Sequence, residues 1–327
     1  MAYCVVSTSP SFGKFVSEPV EHLRQNGCDV QLRPELKTEP LLVDNMKDVD
    51  AVIVGFEPIT AKVIAAAPRL RVIAKHGAGV DNIDIAAATQ AGIVVLSAAG
   101  VNSEAVAEMT IALFLALARD IPLADKQVRA GGWPRLAGAE LFRKTVGIVG
   151  LGQIGRLVAA RAAGFEMKVL AHDTLVTQAA ARALGIDLVS LDELLAKADY
   201  ISLHVPLTKE TRGMIGAAQL ARMKKSAFLV NVSRGGTIDE KALYEALKSK
   251  QIRGAALDVF EAEPPGQSAF FALDNIIVTP HMAGYTIEAV TETGMVCARG
   301  ILDVLGGRKP ATIVNADVVM RANTSAH

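Results

Sequence analysis

The run Val146-Gly147-Ile148-Val149-Gly150-Leu151-Gly152-Gln153-Ile154-Gly155 constrains this chain more than any other stretch. β-formers lead into the spacing G-x-G-x-x-G, and an Ala/Val-rich helix, Arg156 to Ala163, follows. Each glycine has a separate task. Gly150 permits a tight strand-to-helix turn, Gly152 lets the backbone approach a pyrophosphate, and Gly155 lets the helix pack close to its strand. The helix would aim its free N–H groups and positive dipole end at that pyrophosphate. A second strand, Lys168 to His172, ends at Asp173, 18 residues after Gly155. A carboxylate there can accept hydrogen bonds from the adenosine ribose hydroxyls. The glycine spacing alone occurs in many tight turns; strand, helix and acid together make a nicotinamide dinucleotide site. Asp173 also repels a 2′-phosphate, and Thr174-Leu175 offer no arginine to clasp one. NAD is therefore expected rather than NADP.

At 327 residues the chain is long enough for about two domains of roughly 100–200 residues. It is 51% hydrophobic and 21% charged, so it can bury a sizeable core. Lys plus Arg and Asp plus Glu balance at 34 each, which leaves no electrostatic footprint for nucleic acid or a membrane surface. The three cysteines, Cys4, Cys28 and Cys297, show no C-x-x-C spacing, so neither a zinc site nor a disulfide framework is expected, and the setting expected is cytoplasmic. The N-terminus carries no signal-peptide pattern, and the most apolar stretch, Met109 to Ala118, is shorter than the ~20 residues that span a bilayer.

Before Gly100, apolar strands alternate with helices. Strands are expected at Tyr3–Ser7, Asp29–Leu32, Ala51–Val54, Arg71–Lys75 and Ile93–Leu96, and helices at Glu18–Asn26, Thr60–Ala66 and Ile83–Ala91. A long helical region runs from Ser103 through Ala118 and on to Ala130, before the Gly131-Gly132-Trp133-Pro134 break. A second series follows at Val169–Ala171, Tyr200–His204, Ala227–Asn231, Gly254–Asp258 and Ile276–Val278, and a last helix at Glu288–Leu305. Such alternation predicts α/β architecture with parallel sheets covered on both faces. The expected arrangement is two doubly wound domains. A Rossmann cofactor domain, 100–282, is inserted into a discontinuous flavodoxin-like substrate domain, 1–99 and 283–327. Two crossings make a hinge, and a ligand is expected in the cleft. Little chain follows the last helix, so no appended regulatory domain is expected.

Three charged residues follow strands in the second half: Arg234 after Phe228–Asn231, Glu263 after Gly254–Asp258, and His281 after Ile276–Val278. Ligands of open α/β sheets bind at the carboxyl ends of strands, where all three can converge. Together they suit reduction of a 2-keto acid. A histidine donates a proton near neutral pH, a neighbouring carboxylate favours its charged form, and a guanidinium fork binds a carboxylate and polarises the carbonyl. NAD would supply the hydride.

At this point the chain resembles the D-isomer-specific 2-hydroxyacid dehydrogenases. The resemblance rests on Gly77-Ala-Gly79-Val-Asp-Asn-Ile-Asp84, Asn102 through Val106-Ala-Glu108, the glycine loop, His204-Val-Pro206-Leu-Thr208, Asn231-Val-Ser-Arg234-Gly, Leu257-Asp-Val-Phe260 with Glu263-Pro264, and Thr279-Pro-His281. It implies catalytic Arg234, Glu263 and His281, with Glu263 orienting the histidine. It places Gly150, Gly152, Gln153, Ile154 and Gly155, the His204–Pro206 loop, Asp173 and Asp258 at the cofactor, Asp258 on the nicotinamide amide. It puts backbone N–H groups around Gly77, Ala78 and Gly79 on the substrate carboxylate, and joins a homodimer through the cofactor domains near Trp133. It also selects Glu263 over Glu261, because the family's acid directly precedes proline, and His281 over His204.

Two departures stand out. Many members read Arg-Ala-Gly where this chain has Lys75-His76-Gly77, and the usual glycine-loop arginine is Gln153, with Arg156 after the last glycine. His76 is taken as a candidate substrate ligand, Lys75 as a salt-bridged or solvated residue, and Trp133 as a core or interface anchor. The acids Asp81 and Asp84 read as capping and loop residues, since no histidine stands at metal-ligand spacing. The substrate is expected to be small and unphosphorylated, glyoxylate or hydroxypyruvate in type, because the loop Gly55-Phe56-Glu57-Pro58 offers a glutamate where a phosphate would want a cation. The alternatives are 3-phosphoglycerate, toward which the basic pair Lys75 and His76 weighs, and a non-catalytic NAD-sensing protein like the C-terminal-binding corepressors.

Overall fold

The structure is a computed structural model that describes residues 2–318. The chain divides into two compact units: the residues up to Asn102 together with those from Tyr285 onward, and Ser103–Gly284.

The first unit holds strands β1 (Tyr3–Ser7), β2 (Cys28–Leu32), β3 (Ala51–Val54), β4 (Val72–Lys75) and β5 (Val94–Ser97). They pair in parallel in the order β2-β1-β3-β4-β5, a flavodoxin-like sheet. Alternation divides the central strands between two cores. Ala51 and Ile53 face one side with Val72, Ala74 and Val94, while Val52 and Val54 face the other with Ile73 and Val95. Burying a Val or Ile side chain contributes about 1.5–3 kcal/mol. Ordering each residue's backbone costs about 1–2 kcal/mol. A four-residue strand therefore persists only when both faces are covered. The helix Ile287–Leu305 supplies one cover through Cys297, Ala298, Ile301 and Val304. Arg71 closes its carboxyl end by donating to the carbonyls of Val304 and Leu305 at 3.0 and 3.3 Å.

The second unit holds β6 (Thr145–Val149), β7 (Lys168–His172), β8 (Asp187–Leu188), β9 (Tyr200–Leu203), β10 (Phe228–Asn231), β11 (Gly254–Leu257) and β12 (Ile276–Val278). The parallel order is β12-β11-β10-β9-β6-β7-β8, so the strand order reverses between β6 and β9. That reversal is the switch point at which dinucleotides bind. The helix Ser103–Ala118 covers one face, where Phe114 meets Tyr200 edge-on and Tyr200 stacks on Phe228, each pair 5.3 Å between ring centres. Leu194, Leu203, Leu229, Leu243 and Leu257 fill the opposite face.

The architecture is the expected pair of parallel α/β sheets. Five details differ from the sequence reading. The helix from Ser103 stops at Ala118 and a separate helix, Ile121–Arg129, begins after Asp120, whose φ is +49°. Pro122 in that first turn has no N–H to give a continuing helix, and its ring bars one. The helix Glu39–Asn45 and the two-residue edge strand β8 were not expected, being short and without clear periodicity. Lys75 is neither solvated nor on the surface, at 5% exposure. Trp133 is not a core residue, at 83% exposure. Asp84 does cap the helix Ile85–Gln90, accepting from Ala87 N at 2.9 Å. Among the described residues, no helix is long and apolar enough to cross a membrane, and no group of three or more His, Cys, Asp or Glu could hold a metal.

Candidate active site

Arg234, Glu263 and His281 follow β10, β11 and β12, three neighbouring strands of one parallel sheet, so one sheet edge carries them all. The first loop is built on Asn231, which is 1% exposed. Its Nδ2 donates to the Arg234 carbonyl at 3.0 Å and to Thr237 Oγ1 at 3.1 Å, and its Oδ1 accepts from Ser233 N at 3.1 Å. Thr237 Oγ1 donates to the same Arg234 carbonyl at 2.8 Å. The Arg234 backbone is thereby fixed from inside, and its guanidinium folds over the loop with Nη1 donating to Ser233 O at 2.7 Å.

Glu263 Oε1 accepts from Phe260 N at 3.0 Å, and its Oε2 lies 2.7 Å from His281 Nδ1. With two acceptor oxygens, the carboxylate ties its own loop with one and orients the imidazole with the other. Burial pushes the Glu263 carboxyl upward, but the hydrogen bonds from His281 and Phe260 and the charges of His281 and Arg234 outweigh it. The net shift is below the usual glutamate value. Glu263 is therefore an anion at neutral pH.

His281 sits on a turn with φ +52°, a region that side chains other than glycine rarely adopt. Asp258 maintains this turn. Its carboxylate, 1% exposed, accepts from Thr279 Oγ1 at 2.6 Å and from the N–H groups of Met282 and Ala283, both at 2.8 Å. The Asp258 carbonyl accepts from His281 N at 2.8 Å. The resemblance assigns Asp258 to the nicotinamide amide. Three of its roughly four acceptor positions are engaged by the His281 turn, which leaves one on Oδ2.

His204, the rival proton donor, sits in a different environment. Burial pulls its pKa down to about 3, and its Nε2 pairs with Ser202 Oγ at 2.9 Å. It stays neutral near pH 7 and lies beside the glycine loop, where a Cβ on Gly150 would meet the His204 carbonyl at 2.6 Å.

The residues expected at the dinucleotide fit one. Gly150 has φ +95°, a Cβ on Gly155 would fall 2.1 Å from the Gly150 carbonyl, and Gly152 faces open space. The first and third glycines are thus required by the protein's own packing, and the second leaves room for a ligand. The helix Gln153–Ala163 starts there, with Ile154 in its first turn. Leu151, in the middle of the loop, is gripped twice: its N–H donates to Asp173 Oδ2 at 2.7 Å, and its carbonyl accepts from Arg156 Nε at 3.1 Å. Asp173 Oδ1 also accepts from Leu175 N and Val176 N. Burial raises the Asp173 carboxyl, but these three N–H groups lower it further, so it remains ionised. Pro206 follows in the next loop, its carbonyl accepting from Thr211 Oγ1 at 2.6 Å.

In the first unit, His76 and Lys75 do not form a cationic patch. His76 Nδ1 is shared by Ser9 Oγ and Ser11 Oγ at 2.9 and 3.1 Å, and its ring meets Phe12 edge-on. Burial pulls its pKa to about 4, against a raising contact with the Val290 backbone. The ring is thus neutral near pH 7 and bonded internally through Nδ1. Lys75 Nζ donates to the Gly55 carbonyl and, at 3.0 Å, to Asn82 Oδ1. Glu57 is buried as well, accepting from Thr8 Oγ1 and Gly55 N at 3.0 and 2.7 Å. Beyond them the Gly77 and Ala78 carbonyls accept from Ala98 N and Ser97 Oγ, at 3.0 and 2.7 Å. The N–H groups of Ala78 and Gly79 take no partner among the described residues, a pattern suited to an anion.

Comparison with known proteins decides the family. Residues 111–283 match the D-isomer specific 2-hydroxyacid dehydrogenase NAD binding domain. The chain belongs to the D-isomer-specific 2-hydroxyacid dehydrogenases. This family member is 44% identical to the D-3-phosphoglycerate dehydrogenase of Archaeoglobus fulgidus over 301 residues, covering 91% of the chain and 57% of that protein. It is 41% identical to the glyoxylate reductase of Korarchaeum cryptofilum, covering 86% of the chain and 87% of that protein. The chain thus spans little more than half the length of the Archaeoglobus relative. The crystal structure of TT0316 protein from Thermus thermophilus superposes with a TM-score of 0.87 at 35% identity, covering 95% of this chain and 99% of that one. The matched domain is one that binds NAD.

Proposed function

We propose that the protein reduces a small, unphosphorylated 2-keto acid, glyoxylate or hydroxypyruvate in type, to the D-2-hydroxy acid. The observation that carries the chemistry is the 2.7 Å contact between His281 Nδ1 and the Glu263 carboxylate. A carboxylate on Nδ1 orients the ring and stabilises the imidazolium, so His281 can deliver a proton to a carbonyl oxygen. Arg234 binds the substrate carboxylate and polarises the carbonyl through its planar fork. NAD, when bound in its reduced form, supplies the hydride. Ala78 and Gly79 are proposed to contribute N–H groups to the carboxylate.

The unphosphorylated substrate is supported by the charges of the first unit. Lys75 is engaged internally, His76 is neutral, and Glu57 adds a buried negative charge where a phosphate would require cations. The second reading, 3-phosphohydroxypyruvate as substrate, is favoured by the relatives at 44–46% identity. The test is NADH oxidation at 340 nm against glyoxylate, hydroxypyruvate, pyruvate and 3-phosphohydroxypyruvate. Preference for an unphosphorylated acid supports the first reading, and strong preference for the phosphorylated one replaces it. Silence across the panel with NADH still bound would point to a sensor.

A homodimer is part of the same proposal. The helix Ile121–Arg129 buries none of its residues, and Ile121, Val128, Trp133 and Phe142 stand exposed at 52, 47, 83 and 47%. Exposed large apolar side chains at this density are what a protein interface would cover. Three unbridged cysteines suit a cytoplasmic setting.

A further inference from the structure

One peptide group joins the loop of Arg234 to the loop of Glu263. The carbonyl side of the Phe260–Glu261 peptide lies against Gly235, where a Cβ would fall 1.8 Å from Phe260 O and 2.7 Å from Glu261 N. The N–H side of the same peptide donates to Glu240 Oε1 at 2.6 Å. The preceding N–H, of Phe260, is taken by Glu263 itself at 3.0 Å. Two successive N–H groups are therefore held by two different carboxylates, and only one belongs to the proton-transfer pair.

Glu240 opens the helix Glu240–Lys248, whose N-cap Asp239 accepts from Ala242 N at 3.0 Å. An acid in a first helical turn is commonly there for the helix dipole. That reading does not account for this side chain. It is half-buried, close enough to Glu261 and Glu263 to feel their charges, and burial together with those charges raises its pKa despite the hydrogen bond it accepts. As a dipole charge it is poorly placed. As an acceptor for one defined N–H it is well placed, and a carboxyl oxygen accepts in either protonation state.

We propose that Glu240 is a positioning residue of the proton-transfer site, holding the Phe260–Glu261 peptide so that the loops of Arg234 and Glu263 keep their mutual register. The proposal rests on the reductase reading for its kinetic consequence, but the tether itself does not. Without Glu240 the Glu261 N–H loses its acceptor, the peptide can rotate, and Glu263 is released from the geometry that orients His281. A displacement on the ångström scale reduces turnover without altering cofactor affinity.

The test compares Glu240→Ala with Glu240→Gln, which keeps an acceptor oxygen and removes the charge. Three quantities are read: kcat with the preferred keto acid, NADH affinity by fluorescence, and hydrogen exchange at the Glu261 amide. The expected result for Glu240→Ala is a fall in kcat of about tenfold, unchanged NADH affinity, and exchange faster by about tenfold. Glu240→Gln should restore kcat and protection. Wild-type kcat in Glu240→Ala overturns the proposal. Equal losses in both variants also overturn it, because the glutamine retains the acceptor. If the wild-type protein turns over no keto acid, the reductase reading fails, and the exchange measurement alone decides the tether.

Discussion

Gly235 packs its Cα so closely on the carbonyl of Phe260 that any Cβ would lie 1.8 Å from the oxygen. No side chain can be accommodated there without moving one loop of the site. Gly235→Ala should lower kcat by about 100-fold while NADH still binds, as kinetics and fluorescence titration would show. A Gly236→Asp variant makes a contrasting control, since Gly236 has φ +77° but no backbone closer than 3.4 Å to its would-be Cβ. Its loss should come from strain and be smaller. Full activity in Gly235→Ala would mean that the two loops are not mechanically joined.

His281 and Arg234 should separate in steady-state kinetics. His281→Ala removes an interaction made in the transition state, so kcat should fall by about 10²–10⁴-fold with little change in KM. Arg234→Ala also removes ground-state binding of the carboxylate, so KM should rise as kcat falls. An unchanged KM in Arg234→Ala argues against its role as carboxylate ligand.

Asp258→Asn tests the turn that carries His281. The amide cannot accept at all three positions held by Thr279, Met282 and Ala283, so a buried donor is left without a partner. Such a loss costs about 1–3 kcal/mol. The expected outcome is a lower urea midpoint together with reduced kcat. If stability is unaltered while nicotinamide affinity drops, the residue acts on the cofactor alone.

Two partly buried histidines make folding stability depend on pH. His76 and His204 have pKa values pulled to about 4 and about 3, below the ordinary 6.5. Between those values the unfolded chain binds protons that the native state refuses. Stability therefore rises with pH across that window and is lost as pH falls from about 6.5 toward 4, by up to about 1.4 kcal/mol per unit for each histidine. The lowered carboxyls, Glu263 and Asp173, add their own losses as pH falls below their ordinary values of 4.5 and 3.8 and through their lower native ones. Urea unfolding between pH 7 and 4 should show this slope, and His76→Asn with His204→Asn should flatten it. An undiminished slope in the double variant assigns the effect to other groups.

Trp133 should govern assembly. Trp133→Asp puts a charge in the exposed apolar segment and should shift a dimer to monomer in analytical ultracentrifugation. A wild-type protein that already sediments as a monomer would remove the homodimer from the proposal.

Much of the fold was legible in the chain because its signals are local. Runs such as Ala51–Val54 and Phe228–Asn231 are buried at every position, which only a strand covered on both faces explains. The glycine loop, Asp173, and the strand-end positions of Arg234, Glu263 and His281 follow from spacing along the chain. Those residues were identifiable because each sits next to the strand that presents it. Glu240 carried no such signal, since its partner, Glu261 N–H, is 21 residues away and the contact exists only after β10 and β11 pair. Lys75 and His76 illustrate the same limit. As a sequence, Lys-His beside a glycine loop reads as a basic patch. Their environment, with Ser9 and Ser11 after β1, Gly55 after β3 and Asn82 from the loop that follows β4 itself, makes the lysine a buried brace and the histidine a neutral one. Residue order alone determined the sheets and the cofactor loop, because periodicity and glycine geometry act over a few residues. Charge state and orientation at the site were decided by tertiary structure, because desolvation and hydrogen bonding depend on which distant groups the fold brings within about 3 Å.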